Sequence, residues 1–165
     1  MSLLNSVLKV FVGDKSKQDV KAIMPVVNKI KTFEAAIAAL SNDALRAKTQ
    51  EFKSTLAAAC KSLEDRIAEL YLEADSTEDI DRKEDIYLEI DGLRDDVYAK
   101  TQDVLDAILP EAFSVIKETA KRFVNNAQIE VTASTFDREL SGTKDYVTLN
   151  DEKAFWANSW DAAGK

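Results

Sequence analysis

Residues 63–93 read LEDRIAELYLEADSTEDIDRKEDIYLEIDGL, and this stretch decides the architecture. Leu63, Ile67 and Leu70 precede the polar break Ser76-Thr77-Glu78-Asp79, and Ile86, Ile90 and Leu93 follow it, each set recurring at three- and four-residue steps. That period aligns apolar side chains along one face of a helix. Two such faces joined by a short polar turn bury each other by folding back antiparallel, with near-heptad spacing. Upstream, the first stripe reaches back through Leu56, Phe52 and Leu45 to Ser41-Asn42-Asp43, whose short polar side chains suit a helix start. Running on to about Ala74, this helix is on the order of 45 Å long at ~1.5 Å per residue, so it needs a long partner. Downstream, the second stripe continues through Val97, Val104 and Ile108, with Gly92 as a weak spot within it.

Beyond the hairpin, residues 2–13 carry apolar side chains at Leu3, Leu4, Val7, Leu8 and Phe11, an amphipathic helix that Ser2 can cap and Gly13 can end. A helix so short is marginal in water unless its stripe docks, either on its own domain or on a membrane surface or channel protein. From Gln18 to Leu40 a further stripe (Val20, Ile23, Val27, Ile30, Phe33, Ile37) predicts another helix, kinked near Met24 or starting at about Met24-Pro25. Pro110 suits the first turn of a helix running from Glu111 to about Phe123. After it, Ile129–Thr132 and Asp145–Leu149 alternate and are β-branched, predicting two short strands joined through Ser141-Gly142-Thr143. Two strands alone are marginal, and their further partners are expected beyond Lys165. The fold class is therefore mainly α: a helical base, a long antiparallel coiled-coil hairpin, and a C-terminal arm with two short β-strands.

Composition narrows the chemistry. The 165 residues contain no histidine and one cysteine, Cys60. Imidazole bases, Ser-His and Cys-His nucleophiles, histidine metal ligands and an internal disulfide are all excluded, and a reducing, cytoplasmic setting is expected. Four glycines and two prolines are too few for a many-stranded sandwich or barrel. No run of residues matches a membrane span or a signal peptide.

The net charge of −8 is unevenly placed: residues 1–62 hold ten basic and five acidic side chains, and residues 63–106 hold five and sixteen. Such acidity argues against nucleic acid as a partner. Asp79, Asp81, Glu84 and Asp85 read as a solvated face, because the shaped loop and central glycine of a calcium site are missing. Glu89 and Asp91, two apart on a helix, diverge and cannot act as an acid/base pair. Trp156 and Trp160 read as anchors that pack down the chain end. The sequence yields no catalytic, cofactor-binding or metal-binding residue.

Three blocks carry a family resemblance. Leu109-Pro110-Glu111-Ala112-Phe113-Ser114-Val115-Ile116-Lys117-Glu118-Thr119-Ala120-Lys121-Arg122 resembles the LPEAFAVVREAxKR block of the SecA family, the ATP-driven motors of the Sec preprotein translocase. Leu40 to Lys53, LSNDALRAKTQEFK, is similar to the family's LSDEELRAKTxEFK stretch, and Phe11 to Asn28 to its KxFG…VxxIN opening. Val12 departs from the usual Phe-Gly pair, and Lys17 or Gln18 stands where an arginine is often found.

The resemblance divides the chain into an amphipathic helix (1–13), a helical base (14–56), an inserted acidic hairpin (57–106), an LPEAF-type helix (107–124) and an inserted arm (125–165) leading toward a nucleotide-binding domain. It implies a parent that hydrolyses ATP with magnesium and passes preproteins through the SecYEG translocon, from the cytoplasm and peripherally on the inner face of the cell membrane. The family's nucleotide motifs would follow Lys165, so this chain is expected to be inactive alone and to need no cofactor. The resemblance also implies that Leu3, Leu4, Val7, Leu8, Lys9 and Phe11 contact acidic phospholipid or the channel. A second copy of the chain is a further expected partner. The competing expectation is a self-contained helical interaction module unrelated to secretion.

Overall fold

The computed structural model describes residues 3–159, with side chains from Lys15 onward apart from residue 16. Its elements are helices α1 (Leu3–Ala38), α2 (Asn42–Ser76) and α3 (Ile80–Asn125), strand β1 (Gln128–Thr132), helix α4 (Thr135–Ser141), and strands β2 (Val147–Asn150) and β3 (Lys153–Ala157). The mainly α class stands. The described residues fall into two compact units, one comprising residues 43–112 and the other residues 1–42 with 113–165.

The unit of residues 43–112 is the antiparallel hairpin. Contacts pair ever-later residues of α2 with ever-earlier residues of α3: Cys60 with Thr101, Arg66 with Glu89, Glu73 with Arg82. The two stripes meet in a buried cluster of Leu70, Ala74, Ile86 and Ile90, flanked by Ile67, Tyr71 and Leu93. Each Leu or Ile fully buried here stabilises the pair by ~1.5–3 kcal/mol. The turn is closed by Asp79, whose Oδ1 accepts from the backbone N–H groups of Asp81 at 3.0 Å and Arg82 at 3.3 Å. A carboxylate there satisfies otherwise unpaired donors at the start of α3 and meets the positive end of its dipole.

In the other unit the sheet runs β1-β3-β2, all antiparallel, with Val131 opposite Ala154 and Val147 opposite Trp156. Val131, Val147 and Ala154 are buried. Between β1 and β2, α4 begins with a capping box: the Ser134 hydroxyl accepts from the Asp137 backbone N–H, and the Asp137 carboxylate accepts from the Ser134 backbone N–H at 2.7 Å. Buried Asp137 also accepts from the Trp156 indole N–H at 3.0 Å, and the Trp156 ring stacks on Phe136. Trp156 is thereby an anchor; Trp160 lies outside the described residues.

Four expectations need correcting. Gly13 does not end a helix, and the segments expected as two are the single α1, with Pro25 inside it. Continuing a helix that has already formed costs less than stopping and renucleating a second one. The stretch around Pro25 is also exposed, which lets solvent take the carbonyl that loses its partner. Pro110 likewise starts no new helix: α3 passes through it, and its ring is fully buried, which offsets part of the ~3 kcal/mol that an interior proline costs. The aromatic tail contributes a third strand, so β1 and β2 both pair with β3 within this chain. The segment 135–141, expected within a connection, is helical because of the capping box.

Candidate functional site

Among the described residues of 1–42 and 113–165, a polar junction is built around Arg122, near the end of α3. Its Nη1 donates to Asn42 Oδ1 at 2.8 Å, its Nη2 to the carbonyls of Leu40 at 2.7 Å and Ala38 at 3.3 Å, and its Nε to Glu118 Oε1 at 3.0 Å. The carbonyls lie at and just past the end of α1, where helical hydrogen bonding leaves acceptors unpaired and the dipole favours a cation. A planar guanidinium reaches all of these at once, which a lysine ammonium does not. Asn42 extends the junction by donating to the Glu130 carbonyl of β1 at 2.9 Å, and Asn158 ties the end of β3 back by donating to the Phe123 carbonyl at 3.2 Å.

Further along the same face, the Ser114 hydroxyl donates to the Ile30 carbonyl at 2.7 Å and Lys117 pairs with Glu34 at 2.7 Å. Ser114, Val115 and Ile37 are buried, so apolar packing and hydrogen bonds lock α1 against the end of α3. The Arg122 guanidinium beside Glu118 holds that carboxyl below its ordinary value, outweighing the opposing effect of burial. This junction fixes the direction of α1 and the place of the sheet. In the sequence Arg122 closes the LPEAF block, and its place four residues after Glu118 on a helix is an ion-pair signal.

The side chains of Leu3, Leu4, Val7, Leu8, Lys9 and Phe11 lie outside the described residues, although the backbone there belongs to α1. Farther along α1, Val20, Ile23, Met24 and Val26 are exposed, accompanied by exposed Lys15, Lys17, Lys21, Lys29 and Lys31. Among the described residues, no helix is long and apolar enough to cross a membrane and no three acidic or cysteine side chains could together hold a metal ion.

In the hairpin, Lys48 pairs with Glu111 and Glu51, each at 2.8 Å, and the Glu111 hydrogen bond chiefly raises the lysine above its ordinary value. Glu111 belongs to the LPEAF block and Lys48 to the LSNDALRAKTQEFK block, so two stretches that carry the resemblance meet in space.

One unit joins helix to a small three-stranded sheet, and the other is an antiparallel helical hairpin, so the chain is of the mainly α class. Residues 8–136 match the family described as the SecA DEAD-like domain. The chain belongs to the SecA family. It is similar along its whole length to proteins named protein translocase subunit SecA from Christiangramia forsetii, at 62% identity, and Flavobacterium psychrophilum, at 53%. A relative of the same name from Phocaeicola vulgatus is 43% identical over 92% of the chain. The chain spans about 15% of the length of the first two relatives and 14% of the third. No solved structure matches it.

Proposed function

We propose that this chain is the N-terminal scaffold of an ATP-driven protein translocase motor and contributes contact and support to it. The observation that carries this reading is the family match over residues 8–136, which takes in both blocks joined by Lys48 and Glu111. The parent protein hydrolyses ATP with magnesium and passes preproteins through the SecYEG translocon, working from the cytoplasm as a peripheral protein on the inner face of the membrane. Residues of this chain do not fit the nucleotide. Its four glycines stand at 13, 92, 142 and 164, and none has the G-x-x-x-x-G-K-[S/T] spacing whose successive amides cradle phosphate. ATP contact therefore belongs to the rest of the parent.

The Arg122 junction holds α1 firmly, and the amphipathic start of that helix, with Leu3, Leu4, Val7, Leu8 and Phe11 inserted and Lys9 at the headgroups, contacts acidic lipid or the channel. The test is preprotein import into inverted membrane vesicles by the full-length protein with and without residues 1–12. Deletion should abolish most import while leaving ATP hydrolysis in solution intact. Undiminished import would overturn the contact role, and import without any ATP consumption would overturn the motor reading.

A further inference from the structure

Beside the buried seam of the hairpin, α3 carries a second row at alternating four- and three-residue steps: Ile80, Glu84, Tyr87, Asp91, Arg94 and Tyr98. Ile80 is 79% exposed, Tyr87 47% and Tyr98 68%. Part of the row is pre-ordered. Tyr71 of α2 lies edge-on to Tyr87 with ring centres 6.4 Å apart. The Arg94 guanidinium sits 5.9 Å from the centre of the Tyr71 ring, donates to its hydroxyl, and pairs with Asp91 at 3.1 Å.

Ordered Tyr and Arg side chains are the types that concentrate at the centres of protein interfaces, because a rigid ring adds contact area at small entropic cost. The field around the row is net negative: residues 72–98 hold eleven carboxylates against Arg82, Lys83 and Arg94. Anionic lipid and nucleic acid are repelled by that field, and a two-fold pairing of hairpin on hairpin would set like charges face to face.

We propose that this row is a docking face for another protein, whose contacting segment is a basic amphipathic helix. Laid along Ile80 to Tyr98, the helix covers ~27 Å, with apolar residues on Ile80, Tyr87 and Tyr98 and its Lys or Arg side chains among Glu84, Asp85 and Asp91. Charge complementarity selects the partner and speeds encounter, and the rings hold it.

The test places a photo-reactive benzophenone side chain at position 98 of the full-length protein in living cells, with position 96, on another face of α3, as control. Cross-linked peptides are mapped by mass spectrometry. The expected product joins position 98 to a net-positive segment of a different polypeptide. Its yield falls severalfold with Ile80→Ser and Tyr87→Ser combined, and again with Glu84→Lys and Asp85→Lys combined, while helicity by circular dichroism is unchanged. No product, a product within the same polypeptide or a second copy, an acidic or neutral partner segment, or equal yield from position 96 would each overturn the proposal. Should the serine pair lower helicity, the lysine pair decides alone: unchanged yield refutes the docking face.

Discussion

Arg122→Ala removes the donor set that joins the end of α1 to Asn42 and α3. Four hydrogen bonds disappear, and the side chains of Arg122 and Glu118 are only 15% and 14% exposed, so solvent replaces the lost partner poorly. A hydrogen bond involving a charged group contributes ~1.5–3 kcal/mol net, a neutral acceptor left behind less, and effects within one cluster do not add. The 3.3 Å bond to the Ala38 carbonyl is the weakest of the set. A loss of about 2–4 kcal/mol follows, and at ~2–4 °C per kcal/mol for a chain of this size the melting temperature should fall by roughly 5–15 °C. Thermal unfolding followed by circular dichroism at 222 nm measures it. Arg122→Lys should recover less than half of the loss, since an ammonium lacks the planar fork. A melting point within 2 °C of wild type for the alanine variant, or full rescue by lysine, would show that the junction carries no stability.

Gly92 is helical with open space where a Cβ would stand, so Gly92→Ala should stabilise the hairpin by about 0.5–1 kcal/mol, read as a higher urea midpoint at unchanged slope. Ile90→Ala, at a position with 0% exposure, should cost about 2–4 kcal/mol in the same titration, and a neutral result would mean that the seam is elsewhere. Glu118 has a folded pKa below its unfolded value, so its stabilisation is present above about pH 4.3 and is lost as pH falls through the depressed folded value. Between pH 6 and pH 3, Glu118→Gln should therefore lose less melting temperature than wild type. Lys48, raised by Glu111, behaves oppositely: its contribution is whole below its unfolded pKa near 10.4 and is lost as pH rises through the higher folded value, so Glu111→Gln should flatten the alkaline melt.

The hairpin was legible because its signal is local and periodic: Leu70, Ile86 and Ile90 occupy the positions that a 3.6-residue repeat demands, and Ser76 to Asp79 carries turn chemistry. Helix boundaries at proline were less legible. Pro25 and Pro110 each lack a donor, yet whether a helix stops there depends on what surrounds the ring and the orphaned carbonyl, which is tertiary information. Strand β3 was hidden because Lys153-Ala154-Phe155-Trp156-Ala157 has no β-branched residue, and its place in the sheet comes from pairing with both β1 and β2. The Arg122 junction was half visible: Glu118 and Arg122 are helical neighbours, whereas Asn42, Leu40 and Ala38 approach only when the chain has folded.

Trp156 gives the small sheet an optical signature of its own. Its indole N–H is held by the Asp137 carboxylate, and its ring neighbours those of Phe136 and Tyr146. The only other tryptophan is Trp160. With Trp160→Phe, emission comes from one indole on β3, so unfolding of the sheet can be timed by fluorescence separately from loss of the helices.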